Sequence, residues 1–97
     1  MEAFKDLYSV AKYFEVPDSA SIAKLIDEMI YVGIESEVHH GDYEEFQSLN
    51  SRVSSEFKDL SIEEVEDNIN EIDFLFEEDY KGVLETANEL FKYLEEE

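Results

Sequence analysis

The sequence predicts an all-α fold: four or five antiparallel amphipathic helices in one small bundle. Three observations carry this. Apolar residues recur at steps of three and four along most of the chain, as the buried stripe of a helix does. Punctuation is sparse, with Pro17, Gly33, Gly41 and Gly82 the only prolines and glycines, so few tight turns are available to join strands. No segment alternates apolar and polar residues in the manner of a strand. The chain has 97 residues and is 43% hydrophobic and 13% aromatic, too apolar for a disordered acidic tail and long enough for one core.

Helix one carries Phe4, Leu7, Tyr8, Ala11 and Phe14 on its buried face and stops before Val16 and Pro17. Helix two is capped by Asp18 or Ser19 and carries the broadest apolar set, Ile22, Leu25, Ile26, Met29, Ile30 and Val32, which places it centrally. Gly33 either permits close approach of a neighbour or ends the helix, so the boundary is expected between Gly33 and Gly41. Helix three follows the capping-box spacing of Asp42 and Glu45, with Tyr43, Phe46, Leu49 or Asn50, Val53 and Phe57 at helical intervals.

Helix four has the strongest start signal. Ser61 is a cap, Glu64 lies three residues later, and Leu60 is placed to staple onto Val65. From Ile62 the stripe continues through Val65, Ile69, Ile72, Phe76, Tyr80, Val83, Ala87, Leu90 and Leu94, with two successive steps of four around Phe76. Either one helix spans residues 61–94 or the stripe is broken near 77–82 with Asp79 capping the second half. Asn68, Asn70, Asp73 and Gly82 favour the break. One domain is expected over residues 1–94, followed by an acidic tail at 95–97.

The charge narrows the function classes. Twenty-seven acids against seven bases give a formal net charge of -20, which argues against direct binding to nucleic acid or anionic membranes and favours a basic protein partner. The absence of cysteine excludes disulfides and thiolate chemistry and agrees with a cytoplasmic setting. The longest apolar or glycine run, Met29 to Ile34, is too short to cross a bilayer.

Catalysis finds little support. So many acids make close carboxylate pairs uninformative, and the chain has no glycine-framed serine, phosphate-cradling loop or HExxH spacing. His39 and His40, with Glu37, Asp42 and Glu44 nearby, read as solvated helix-end residues rather than a metal centre. No enzyme activity, metal or cofactor is therefore expected. Tyr31 and Phe74 lie off their stripes and are candidate exposed apolar contacts.

The segment SIEEVEDNINEIDFLFEEDY, residues 61–80, carries nine carboxylates and no lysine or arginine. On one continuous helix Glu63, Asp67 and Glu71 share a side, with Glu64, Glu66, Asp73, Glu77, Glu78 and Asp79 flanking the apolar stripe. This ridge would hold about one charge per 2.8 Å at ~1.5 Å rise per residue, within a factor of two of the roughly 1.7 Å spacing of duplex phosphates. These nine residues are the candidate partner-binding site. The bland reading is a solvated helix face, and a second alternative is a helical adaptor binding through an apolar patch.

In composition and in this one segment the chain resembles two groups of small acidic inhibitors, the immunity proteins that neutralise nuclease toxins and the phage proteins that mimic DNA to block restriction or CRISPR enzymes. The resemblance implies a non-catalytic inhibitor that occludes a basic nucleic-acid-binding surface, with immunity preferred over anti-defence mimicry, acting as a monomer or homodimer. It identifies no particular family and carries over no site residues.

Overall fold

The computed structural model describes residues 4–35, 44, 47, 48, 51, 59–71 and 74–96. These residues form α1 (Leu7–Tyr13), α2 (Ile22–Glu35), α3 (Ile62–Asp67), a 3₁₀ turn (Ile69–Glu71) and α4 (Phe74–Glu96), and no strand occurs among them. The fold is all-α, as expected. Glu44, Gln47, Ser48 and Ser51 are also helical, and the Ser51 hydroxyl donates to the Gln47 carbonyl at 3.0 Å. The rest of the predicted third helix, including its Asp42 cap, lies outside the described residues, as does the 36–41 stretch where α2 was expected to end.

Helix α1 is closed at both ends by recognisable chemistry. Asp6 is extended, and its carboxylate accepts the Ser9 N–H at 2.8 Å. At the other end Glu15 takes a left-handed φ of 59°, and its N–H reaches the Lys12 carbonyl. The Val16 N–H returns to the Ala11 carbonyl at 2.8 Å. This is the paired six-to-one and five-to-two bonding of a Schellman stop, with buried Val16 as its apolar closure. Glutamate occupies a position where glycine is usual.

The start of α2 departs from expectation. Its cap is Ser21, whose hydroxyl accepts the Lys24 N–H at 3.1 Å, not Asp18 or Ser19. Those two residues lie in a turn closed by the Ala20 N–H on the Pro17 carbonyl, 2.9 Å. The physical reason for the shift is a pairing of chain segments. Ser21 and Ser61 form an isolated antiparallel bridge, in which the Ile22 N–H bonds the Leu60 carbonyl and the Ile62 N–H bonds the Ala20 carbonyl, both at 2.9 Å. The Glu63 N–H adds a bond to the Asp18 carbonyl at 3.1 Å. The incoming chain of each helix thus satisfies first-turn N–H groups of the other, groups that have no partner inside their own helix.

Ser61 caps α3 as expected, accepting the Glu64 N–H at 3.0 Å. The stripe is broken, but earlier than the 77–82 region. Helix α3 stops at Asn68, whose side-chain amide donates to the Glu64 carbonyl at 2.8 Å, and the 3₁₀ turn follows. Helix α4 then runs without interruption past Asp79 and Gly82, so Asp79 is an interior residue and not a cap. It continues to Glu96, two residues beyond the boundary drawn at Leu94, and therefore includes residues assigned to an acidic tail.

The core joins Leu7, Val10 and Ala11 of α1 to Ile22, Leu25, Ile26 and Met29 of α2, Ile62 and Val65 of α3, and Val83, Ala87 and Leu90 of α4, all at most 2% exposed. The α2 face is buried as its apolar breadth required, with Ile30 and Val32 at its margin. Gly33 faces Leu90 within α2, and a methyl group there would meet the leucine Cδ1 at an ordinary 3.8 Å. Close approach therefore does not require glycine at this position. The 12.5 Å radius of gyration is the value expected for a compact chain of this length.

Candidate partner-binding surface

Helix α3 is short, and its orientation is set by Ile62 and Val65, which point into the core. The remaining positions divide the acids into two kinds. Glu63, Glu64 and Asp67 are exposed, and the first two sit in the first turn, where the positive end of the helix dipole favours them. Glu66 is half-buried and engaged. Its Oε1 accepts the Leu7 N–H at 2.5 Å and the Tyr80 hydroxyl at 2.8 Å, so one carboxylate joins α3 to the start of α1 and to α4. Leu7 is the first residue of α1, and its N–H is one of the groups a helix cannot satisfy internally. Glu66 thus serves as a cap supplied from another helix. Its expected place on the outward ridge is corrected: this carboxylate is turned inward.

Asp67 is also partly occupied, accepting the Tyr8 hydroxyl at 2.9 Å. That bond, then a small desolvation, then the charges of Asp67, Glu63 and Glu66 push the Tyr8 hydroxyl up to about 12. The Tyr80 hydroxyl is also raised, first by burial, then by its bond to Glu66 and by the charges of Glu66 and Asp6. Two tyrosines on separate helices therefore donate into the acids of α3.

Beyond α3 the expected ridge does not continue along one axis. Glu71 is exposed on the 3₁₀ turn, so Glu63, Asp67 and Glu71 do not share one continuous helix side. Asp73 lies outside the described residues. Glu77 and Glu78 are exposed near the start of α4, and Glu77 pairs with Lys81 at 3.3 Å. Asp79 is half-buried and partnered. Among the described residues no cation pairs with the carboxylates of Glu63, Glu64, Glu71 or Glu78. These four, with Asp67 and the Lys81-paired Glu77, are the exposed part of the nine-residue set.

Sequence reasoning missed the inward role of Glu66, although a signal existed: Ile62, Val65, Glu66 and Ile69 have the spacing i, i+3, i+4 and i+7, which puts Glu66 on the core-facing stripe. The hydroxyl roles of Tyr8 and Tyr80 had no such signal. Of the two candidate apolar contacts, Tyr31 is 55% exposed, with its hydroxyl on Glu35 at 3.1 Å, and the side chain of Phe74 lies outside the described residues. Tyr93 is a further exposed aromatic that periodicity did not mark. His39 and His40 are outside the described residues. Among those described, no cluster of three or more histidines or acids is arranged to hold a metal ion, and no helix is long and apolar enough to cross a membrane.

No protein-family model, curated protein or solved structure matches the chain.

Proposed function

We propose that the protein is a non-catalytic acidic inhibitor that docks on the basic nucleic-acid-binding surface of an enzyme, as an immunity protein does with a nuclease toxin. The observation that carries this reading is the set of exposed carboxylates Glu63, Glu64, Asp67, Glu71 and Glu78, on a chain of net charge -20, with none of the five paired to a described cation. Opposite charge on a partner would steer encounter and relieve the repulsion these groups exert on one another. The acids are distributed over a short helix, a turn and the start of another helix. Such a broken path favours a compact basic patch as counterpart over a long duplex-binding track, and so favours immunity over DNA mimicry in a phage anti-defence protein.

The test begins with low-salt capture of partners from the native host, where a basic nuclease or other nucleic-acid-processing enzyme is expected to dominate. Association of that enzyme is then compared for two variants of equal charge. One carries Glu63→Gln, Glu64→Gln and Glu71→Gln; the other carries Glu44→Gln, Glu85→Gln and Glu89→Gln at exposed helical positions elsewhere. A slower association and a flatter salt dependence confined to the first variant support the site, because steering acts mainly on encounter. Equal effects would reduce the role of the α3 acids to net charge. Capture of only acidic or uncharged proteins, retained at high salt, would instead favour the adaptor reading.

A further inference from the structure

The residues before α1 are held in an unusual manner. Phe4 and Lys5 precede the Asp6 cap and belong to no helix. Asn88, on α4, addresses both backbone groups of Phe4: its Oδ1 accepts the Phe4 N–H at 2.6 Å, and its Nδ2 donates to the Phe4 carbonyl at 3.3 Å. This reproduces with one side chain the donor and acceptor pairing that a neighbouring strand would offer. The Phe4 ring, 6% exposed, lies against Tyr13 and Phe91, with centroids at 5.5 and 5.6 Å, and those two rings are themselves 5.2 Å apart in an edge-on arrangement. Main-chain bonding combined with a pocket for one side chain is how extended peptides are recognised.

The geometry points to a peptide-binding seat formed by Tyr13, Asn88 and Phe91, filled in this chain by its own Phe4 and suited to an extended phenylalanine-bearing segment of a protein partner. Three features set the ligand class. The backbone of the bound residue must be free of helix, since Asn88 uses both its N–H and its carbonyl. The side chain must be a flat apolar ring to match the edge-on and tilted contacts. The residue after it is a cation in the present occupant, Lys5, and the net charge of -20 favours a cation there in an incoming peptide. Phe4 acts as a latch: it belongs to no helix and is attached to the seat by its ring and one side-chain amide, whereas the Asp6 cap and the Leu7 to Glu66 bond use other groups. The inference is independent of the acidic surface, which uses other residues.

Two measurements on the full chain test it. Native-state hydrogen exchange compares the Phe4 amide with those of Leu7 and Val83. The latch predicts that Phe4 exchanges through a local opening at least about 100-fold more frequent than the opening that exposes Val83, while Leu7 stays protected. Exchange of Phe4 only together with Val83 would overturn it. In the second measurement Phe4→Ala empties the ring site, and the probe is a capped peptide of the chain's own residues 2–6, EAFKD. Saturable shifts at Tyr13, Asn88 and Phe91 are expected in F4A, weaker or absent in wild type, where the tethered ring competes at high effective concentration, and lost in F4A combined with Asn88→Leu. No saturable binding by F4A, or binding indifferent to Asn88, would refute the seat. A global loss of fold in F4A would refute the latch, because a segment that opens alone is not needed for the fold.

Discussion

Replacing Glu66 separates the carboxylates that hold the fold from those that face outward. Its Oε1 accepts from the Leu7 N–H and from the Tyr80 hydroxyl, and both donors belong to residues at least nine-tenths buried. Glu66→Leu keeps the apolar stem and removes the acceptor, leaving two donors without a partner. Each unsatisfied buried group costs about 1–3 kcal/mol. Because Glu66 is only half-buried and water can reach part of the site, the lower half of the summed range applies, about 2–4 kcal/mol. Glu66→Gln retains an acceptor oxygen and loses the charge assistance and the favourable interaction with the α1 dipole, together about 1 kcal/mol. Glu63→Gln at an exposed position should lie within about 0.5 kcal/mol of wild type. Urea unfolding at fixed salt measures all three, with slopes of about 1–3 kcal/mol per molar and the slope checked for constancy. Equal stability of the Glu66 and Glu63 variants would refute the inward assignment.

Four further outcomes follow from the same geometry. Gly33→Ala should stabilise by about 0.5–1 kcal/mol in urea or thermal unfolding, since the added methyl meets Leu90 at an ordinary distance and helix interiors disfavour glycine. Glu15→Gly should stabilise by about 1 kcal/mol in the same assays, because only the non-glycine residue is strained at a φ of 59°. Ser61→Ala should destabilise by about 1 kcal/mol through loss of the cap bond to Glu64, with the helical content of the other elements unchanged by circular dichroism. Tyr8 ionises near 12 when folded and Tyr80 is raised as well, against about 10 unfolded. The stability they contribute is complete below pH 10 and is lost as pH rises through the folded values, so melting should fall above pH 10 while phenolate absorbance of the native protein lags that of the unfolded chain.

Much of the fold was legible because local chemistry and periodicity agree over α1, α2 and the start of α3. The Ser61 cap with Glu64 in its first turn needed no tertiary information. The cap of α2 did, since Ser21 prevails over Asp18 and Ser19 only because the chain at Leu60 and Ser61 pairs with it. The position of the break was misread for a related reason. Apolar spacing continues through Ile69 toward Tyr80 because both helices face one core, and a 3₁₀ turn between them keeps that spacing approximately intact. Gly82 looked like a breaker, yet in α4 it costs only its intrinsic propensity, about 1 kcal/mol, within a helix of 23 residues anchored by Tyr80, Val83, Ala87 and Leu90. Asn68 terminates α3 through its own side-chain bond to Glu64, a competing local interaction characteristic of asparagine.

The division of the acids also bears on why this segment accepts its repulsion. A carboxylate that caps another helix and receives a tyrosine, as Glu66 does, gains interactions that offset its neighbours' charge. Asp67 gains one such bond. Glu63 and Glu64 gain the dipole of α3, worth a few tenths of a kcal/mol to about 1 kcal/mol each at an exposed terminus. Glu71 and Glu78 have no compensating bond or cation among the described residues. Repulsion concentrated on groups that contribute nothing visible to folding fits both a charge kept for an encounter outside the chain and a solvated face. Salt distinguishes the two uses. Screening should raise the stability of the free protein while slowing association with a basic partner, whereas a merely solvated face would show the first effect without the second.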